Sequence, residues 1–168
     1  MKKKDWEINL SEQIPRLRRY ARSLTQNVST SDDLVQDCLE RAWDKRHTWQ
    51  EGSNLRAWLF SIMHNTFVNN VRRNKLARDY EASIAVDIPQ YAVETNHVLR
   101  DLENCLAKLK PEYREVLLLA GLEGLSYKEI ATVTATPIGT VMSRLSRGRE
   151  ELRELMSEHK TGKLVRIK

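Results

Sequence analysis

Met142, Ser143, Ser146 and Arg147 recur at spacings of three and four, so on a helix they share one outward face, with Arg144 and Arg149 flanking it. The chemistry that such a set offers is recognition rather than bond-making. In a major groove Arg pairs with guanine and Ser bonds several bases, while flanking Arg holds phosphates. A solvated surface helix would carry similar residues, and the punctuation around the face decides between the two. Elsewhere the chain has no phosphate-binding Gly loop, no nucleophile elbow and no metal spacing among His47, His64, His97 and His159. No catalytic residue, metal or cofactor is therefore expected, and the chain does not read as an enzyme.

The element that must position this face runs from Leu125 to Leu152, LSYKEIATVTATPIGTVMSRLSRGREEL. Ser126 followed three residues later by Glu129 is a capping box, which satisfies free N–H groups at a helix start. Ile130, Ala131 and Val133 give that short helix an inward stripe, and Thr134, Ala135 and Thr136 suit a turn. Thr136 is expected to cap the second helix, with Pro137 at its first position. Val141, Leu145 and Leu152 then form a buried stripe. Short helix, tight turn and basic helix make a helix-turn-helix, whose second helix enters the major groove of DNA.

Composition agrees with a polyanionic partner. The 168 residues carry a net charge of +5, with a pI of about 9.3. From Gly52 to Arg78 there is no acidic residue, but Arg56, Arg72, Arg73, Lys75 and Arg78 are basic; from Asp79 to Leu99 the signs reverse, with Asp79, Glu81, Asp87 and Glu94 alone. Such blocks mark separate faces or segments. Cys38 and Cys105 lie far apart without motif spacing and read as buried thiols in a reducing compartment. No apolar run approaches the roughly 18 residues of a membrane span, and Met1 to Lys4 leads into polar sequence rather than a signal core. A soluble, cytoplasmic protein without membrane insertion is expected.

The remaining elements are helical. Ile14, Leu17, Tyr20, Ala21 and Leu24 form an amphipathic stripe, with Arg16, Arg18, Arg19 and Arg22 around the other sides. A second helix opens at the Ser29, Thr30, Ser31 cluster; Leu34, Val35, Cys38, Leu39, Ala42 and Trp43 face inward, and Asp33, Gln36, Asp37, Glu40, Arg41 and Asp44 outward. Ser53 or Asn54 caps a long third helix, whose core contacts include Trp58, Leu59, Ile62, Phe67 and Val71. Residues 77–96, with Pro89 and no period, read as an acidic linker. Val98, Leu99, Leu102, Leu106 and Leu109 form a further helix; Pro111 starts another, ended by Gly121 or Gly124. The expected fold is all-α: two small helical domains, 5–76 and 97–158, joined by that linker, the second containing the helix-turn-helix.

In this form the chain resembles the extracytoplasmic-function (ECF) group of bacterial RNA polymerase sigma factors, and its wording is similar to general-stress members of alphaproteobacteria. Four segments in family order carry the resemblance: DLVQDCLERAW (33–43), NLRAWLFSIMHNTF (54–67), LAKLKPEYREVLLL (106–119) and LSYKEIA with PIGTVMSRLSRGREEL. The resemblance implies a first domain that binds core RNA polymerase and holds melted DNA at the downstream promoter element. It implies a second domain that reads the upstream element as duplex. Asp33, Gln36, Asp37 and Arg41 match the polymerase-docking helix. Trp49 and Asn65 match positions that hold a flipped base, with Asn69 one turn on and Arg56, Arg72 and Arg73 along phosphates. From the residues alone, Trp49 could equally pin its loop to the core. Met142, Ser143, Ser146 and Arg147 map to base-facing positions, Arg144 and Arg149 to backbone-facing ones. Met142 departs from the usual Lys or Arg, and Ala135 stands where Gly or Asn often relieves a positive backbone angle.

An anti-sigma protein is the further partner implied. The alternative from a different class is a stand-alone helix-turn-helix regulator, which would leave the carboxylate-rich helix and the Asn65 helix without a role. A sigma-like decoy in a phospho-signalling protein would need a receiver domain, for which the helical pattern leaves no room.

Overall fold

The computed structural model describes residues 3–80 and 97–165, with side chains described over 6–73 and 99–157. Among the described residues there are helices and turns but no strand. The apolar stripe through Leu17, Tyr20, Ala21 and Leu24 is buried on α1 (Lys3–Thr25), which begins well before that stripe and continues through Pro15. Gln26, at φ +57°, takes the chain off the helix. Asn27 then caps α2 (Val28–Asp44), its Oδ1 accepting from Thr30 N at 2.9 Å. The expected opening at Ser29 to Ser31 is thus corrected: the left-handed Gln26 turns the chain earlier, and Ser31 is buried with its hydroxyl on the Val28 carbonyl.

The inward set of α2 is buried or half-buried as its spacing predicts. Following a 3-10 turn at Arg46–Thr48, Asn54 rather than Ser53 caps α3 (Leu55–Tyr80), its Oδ1 accepting from Ala57 N. Ser53 instead donates to the Gln50 carbonyl. Leu59, Phe60, Ile62, Met63 and Thr66 are buried. Val71, expected in the core, is exposed together with Arg72 and Arg73, because α3 runs on past the helices that cover its first turns. Residues 77–80 of the expected linker continue α3, and 81–96 lie outside the described residues.

In the second half α4 (His97–Lys108) buries Cys105 and leaves Leu99 exposed, contrary to its expected place on the inner stripe. Pro111 opens α5 (Pro111–Leu117), which widens into a π-helical turn at Leu118–Leu122. Gly124, at φ +64°, ends it rather than Gly121, and Leu125 N donates back to the Leu119 carbonyl. Then come α6 (Tyr127–Val133) and α7 (Ile138–Val165), the latter running past the expected limit at 158.

The two helical domains pack on one another around a continuous core that includes Leu17, Leu34, Leu59 and Met63 from the first and Val116, Leu119, Ile130 and Leu145 from the second. α3 lies against α6, and α1 against α5 and the π turn. Arg114 ties helix ends together: its guanidinium donates to the carbonyls of Leu106, Ala107 and Leu109 at the end of α4 and of Leu24 at the end of α1, at 2.6–3.2 Å. Helix-terminal carbonyls lack intrahelical partners, so one cation serves two helices.

Candidate nucleic-acid interface and docking surfaces

The turn between α6 and α7 is built by hydroxyls and one strained residue. Glu129 accepts from Ser126 N and Oγ at 2.8 Å, while Ser126 Oγ accepts from Glu129 N, completing the capping box. The bond from the Ser126 backbone, then that from its hydroxyl, holds the Glu129 carboxyl below its usual range. Ala135 takes φ +50°, the positive angle that its position predicts, and Thr134 and Thr136 share a hydroxyl bond of 2.8 Å. Thr136 is thereby used within the turn and does not cap α7. The Pro137 carbonyl accepts from both Thr140 and Val141, so the helix starts one residue later than expected, at Ile138.

Val141 and Leu145 of α7 are buried, and so is Gly148, which lets α5 approach closely: a Cβ there would lie 3.1 Å from Leu117 Cδ1 and 3.2 Å from Tyr113 Cβ. Opposite this seam Met142, Ser143, Ser146 and Arg147 are all exposed. Arg144 is half-buried beside them, and Arg149 donates to Tyr127 Oη at 3.3 Å. The whole expected upstream set therefore sits on α7, with its base-facing members on one open face.

On α2, Asp33, Gln36 and Arg41 are exposed and Asp37 half-exposed, with Gln36 donating to Glu40 at 3.0 Å. The face continues into a groove of about 580 Å³ against α1, lined by Leu10, Ile14, Leu39 and Trp43 and rimmed by Glu7, Glu40 and Asp44. Apolar floor and acidic rim suit a basic amphipathic helix.

Asn65, Asn69 and Arg72 are exposed and follow one another at spacings of four and three, one stripe of α3 that begins at Trp58. Arg73 is also exposed, and donates to Asn70. Arg56 is not with them: nine residues before Asn65, about two and a half turns, it lies on the other side of the helix, close enough to favour the Glu129 carboxylate. Trp49 is not a free platform either. Its ring packs 5.5 Å from that of Trp6, which meets Trp58 at 5.7 Å, and the indole nitrogens of Trp6 and Trp49 are buried without a partner. Trp6 carries no sequence signal, being a single aromatic in a polar N-terminal stretch, yet it joins α1, the Trp49 loop and α3.

The halves are clasped by three carboxylates of the second on polar groups of the first. The solvent-excluded Glu123 lies 3.2 Å from Arg19 and 3.8 Å from Arg16; Glu115 meets His64 and, at 3.4 Å, Tyr20 Oη; Glu129 accepts from Asn54. Burial first, then the adjoining Glu115 charge, pushes the Tyr20 hydroxyl well above its ordinary range, so it stays a donor. Nothing in the sequence marks Glu115 or Glu123 as buried: Glu115 closes the polar stretch PEYRE and Glu123 stands beside Gly124 at the end of the apolar run, and at either place a surface carboxylate is the ordinary reading. The cysteines are buried as expected; burial pushes the Cys38 thiol up to about 12, which leaves it unreactive. Among the described residues no His, Cys, Asp and Glu cluster could hold a metal, and no helix is long and apolar enough to cross a membrane.

Two family models match this architecture in order: the sigma2 domain of PhyR over residues 10–64 and sigma-70 region 4 over 99–152. The chain is 37% identical over 145 residues to the ECF RNA polymerase sigma factor EcfG of Rhodopseudomonas palustris, covering 85% of this chain and 80% of that protein. It is 30% identical to the RNA polymerase sigma factor YlaC of Bacillus subtilis, over 80% and 82% of the two chains. Among solved structures it superposes with a TM-score of 0.83 and 36% identity on the sigma factor RpoE from Bartonella quintana, crystallised with the anti-sigma factor NepR, over 92% of this chain and 98% of that one. Matching both sigma domains and, over four-fifths of its length, a 37% identical relative, the chain belongs to the ECF RNA polymerase sigma factors.

Proposed function

We propose that this sigma factor acts in the cytoplasm by delivering core RNA polymerase to a set of stress promoters, under the control of an anti-sigma protein. Residues 5–76 form the domain that docks on polymerase and traps melted DNA; 97–158 form the domain that reads the upstream element as duplex. Asp33, Gln36, Asp37 and Arg41 on α2 meet the polymerase, their mixed charge orienting the encounter. Asn65 and Asn69 bond the edges of an extruded base, while Arg72 and Arg73 follow its backbone. Arg56 joins that strand only after leaving Glu129. Trp49 contributes by holding its loop against Trp6, at the end of the stripe where the base enters. Ser143, Ser146 and Arg147 contact bases upstream, and Arg144 and Arg149 contact phosphates. The sigma factor catalyses nothing itself; bond formation is left to the polymerase.

The observation that carries this reading is the open face of α7, a set of base-reading residues left exposed by a buried seam and a capping-box turn. Anti-sigma control is supported by the 36% identity to a sigma factor crystallised with its anti-sigma partner, and by an apolar, acid-rimmed groove at the polymerase-docking face. Reconstituted transcription on a promoter library, with core polymerase and with or without this chain, tests the function. Transcripts that start only with the chain present are expected. Tight DNA binding without any polymerase-dependent transcript would instead establish a stand-alone regulator.

A further inference from the structure

Of the large apolar side chains left exposed among the described residues, two lie together: Ile138, 49% exposed, and Met142, 53% exposed. Four residues apart, they are neighbours on the first two turns of α7. The N-terminal turns of the second helix are the part of a helix-turn-helix that meets base edges. Around them Ser143, Arg144 and Arg147 supply polar and cationic groups, and α7 carries no carboxylate before Glu150. An anionic partner therefore suits this face, yet its leading edge is apolar. In the major groove the apolar group on a base edge is the 5-methyl of thymine.

We propose that Ile138 and Met142 are specificity-determining residues that read the thymine 5-methyl group within the upstream element. The pair forms a shallow apolar clamp in which the unbranched Met142 thioether adapts to the methyl while the stiffer Ile138 sets its position. Met142 is thus not an empty contact position but a selective one. The proposal rests on α7 being the duplex-reading helix, and its test separates the two claims.

The full chain, loaded on core polymerase, is used to select sites from an unmethylated random duplex library, in which thymine is the sole source of a pyrimidine 5-methyl. Each thymine of the enriched site is then replaced by deoxyuridine. At one or two adjacent positions the loss of the methyl should weaken binding about fourfold, the factor that corresponds to about 0.8 kcal/mol for one buried methyl-sized group. The Ile138→Ser, Met142→Ser double variant should bind thymine and uracil sites equally, while Arg147→Ala should bind both more weakly but keep the uracil penalty. Both substituted side chains are half exposed, and the uracil series on the unaltered protein stands without the variants. An enriched site indifferent to uracil, or an unchanged penalty in the double variant, overturns the methyl reading and leaves α7 as the DNA helix. Failure to enrich any site overturns both.

Discussion

Asn65 and Arg147 are both exposed, on long helices in opposite halves of the chain, so substituting each tests the proposed division between two kinds of DNA contact. Arg147→Ala should weaken duplex binding to the upstream element by about 1–3 kcal/mol if it pairs with guanine. Asn65→Ala should leave that affinity near the unaltered value and slow promoter opening, followed by a fluorescent base at the melted position. Equal loss of duplex affinity in both variants would remove the division of labour. At this scale the exposed polar residues were legible, because spacing puts them outside, whereas Val71 and Leu99 sat on apolar stripes and are exposed all the same. The buried charges were not legible: Glu115 and Glu123 find His64, Tyr20, Arg16 and Arg19 roughly a hundred or fifty residues away in the chain, and no local pattern encodes such a meeting.

Elements in the helix-turn-helix depend on two devices, one local and one not, that can be tested separately. The folded Glu129 carboxyl titrates below its unfolded value of about 4.3, so its stabilisation is complete above that value and is lost as the pH falls through the lower folded value. Glu129→Gln should therefore lower the melting temperature at pH 7 and narrow the gap to the unaltered protein on titration towards pH 3. Ser126→Ala removes the other half of the box and should cost about 1 kcal/mol. The second device is Gly148. Since a Cβ there already meets Leu117 and Tyr113 at 3.1–3.2 Å, Gly148→Val should cost roughly 1–3 kcal/mol by forcing α5 from α7, measured by denaturant unfolding. The capping box was readable from two residue types at one spacing, whereas a glycine inside a helix reads equally well as a mere defect until its neighbour is known.

At the scale of the whole molecule, the clasp between the halves adds charge contacts to the apolar core that they share. Arg16 and Arg19 are 47% and 52% exposed at the side chain, while Glu123 is solvent-excluded. Removing the carboxylate leaves two cations that water can still reach, but removing the cations strands a buried charge. Arg16→Ala with Arg19→Ala should therefore disfavour the clasped arrangement by about 1–3 kcal/mol, less than for a fully buried pair, and more than Glu123→Gln does. Small-angle scattering is the measurement: the double variant should have the larger radius of gyration, and an unchanged radius would show that the apolar core alone holds the halves. Separation of the halves in the double variant would also free Asn54 and Arg56 from Glu129, which would link it to the proposed downstream DNA surface.

Helix periods, the capping box of α6 and the turn before α7 were determined by the sequence by itself, because each depends on residues within one or two turns of one another. So was the family, through four ordered segments. Only the tertiary structure decided that the two domains share one core, that Arg56 lies away from Asn65, that Trp49 is packed on Trp6, and that Ile138 stays uncovered beside Met142. Those outcomes depend on which face meets which across long stretches of chain. Exposure at such a meeting is a property of the neighbour as much as of the residue.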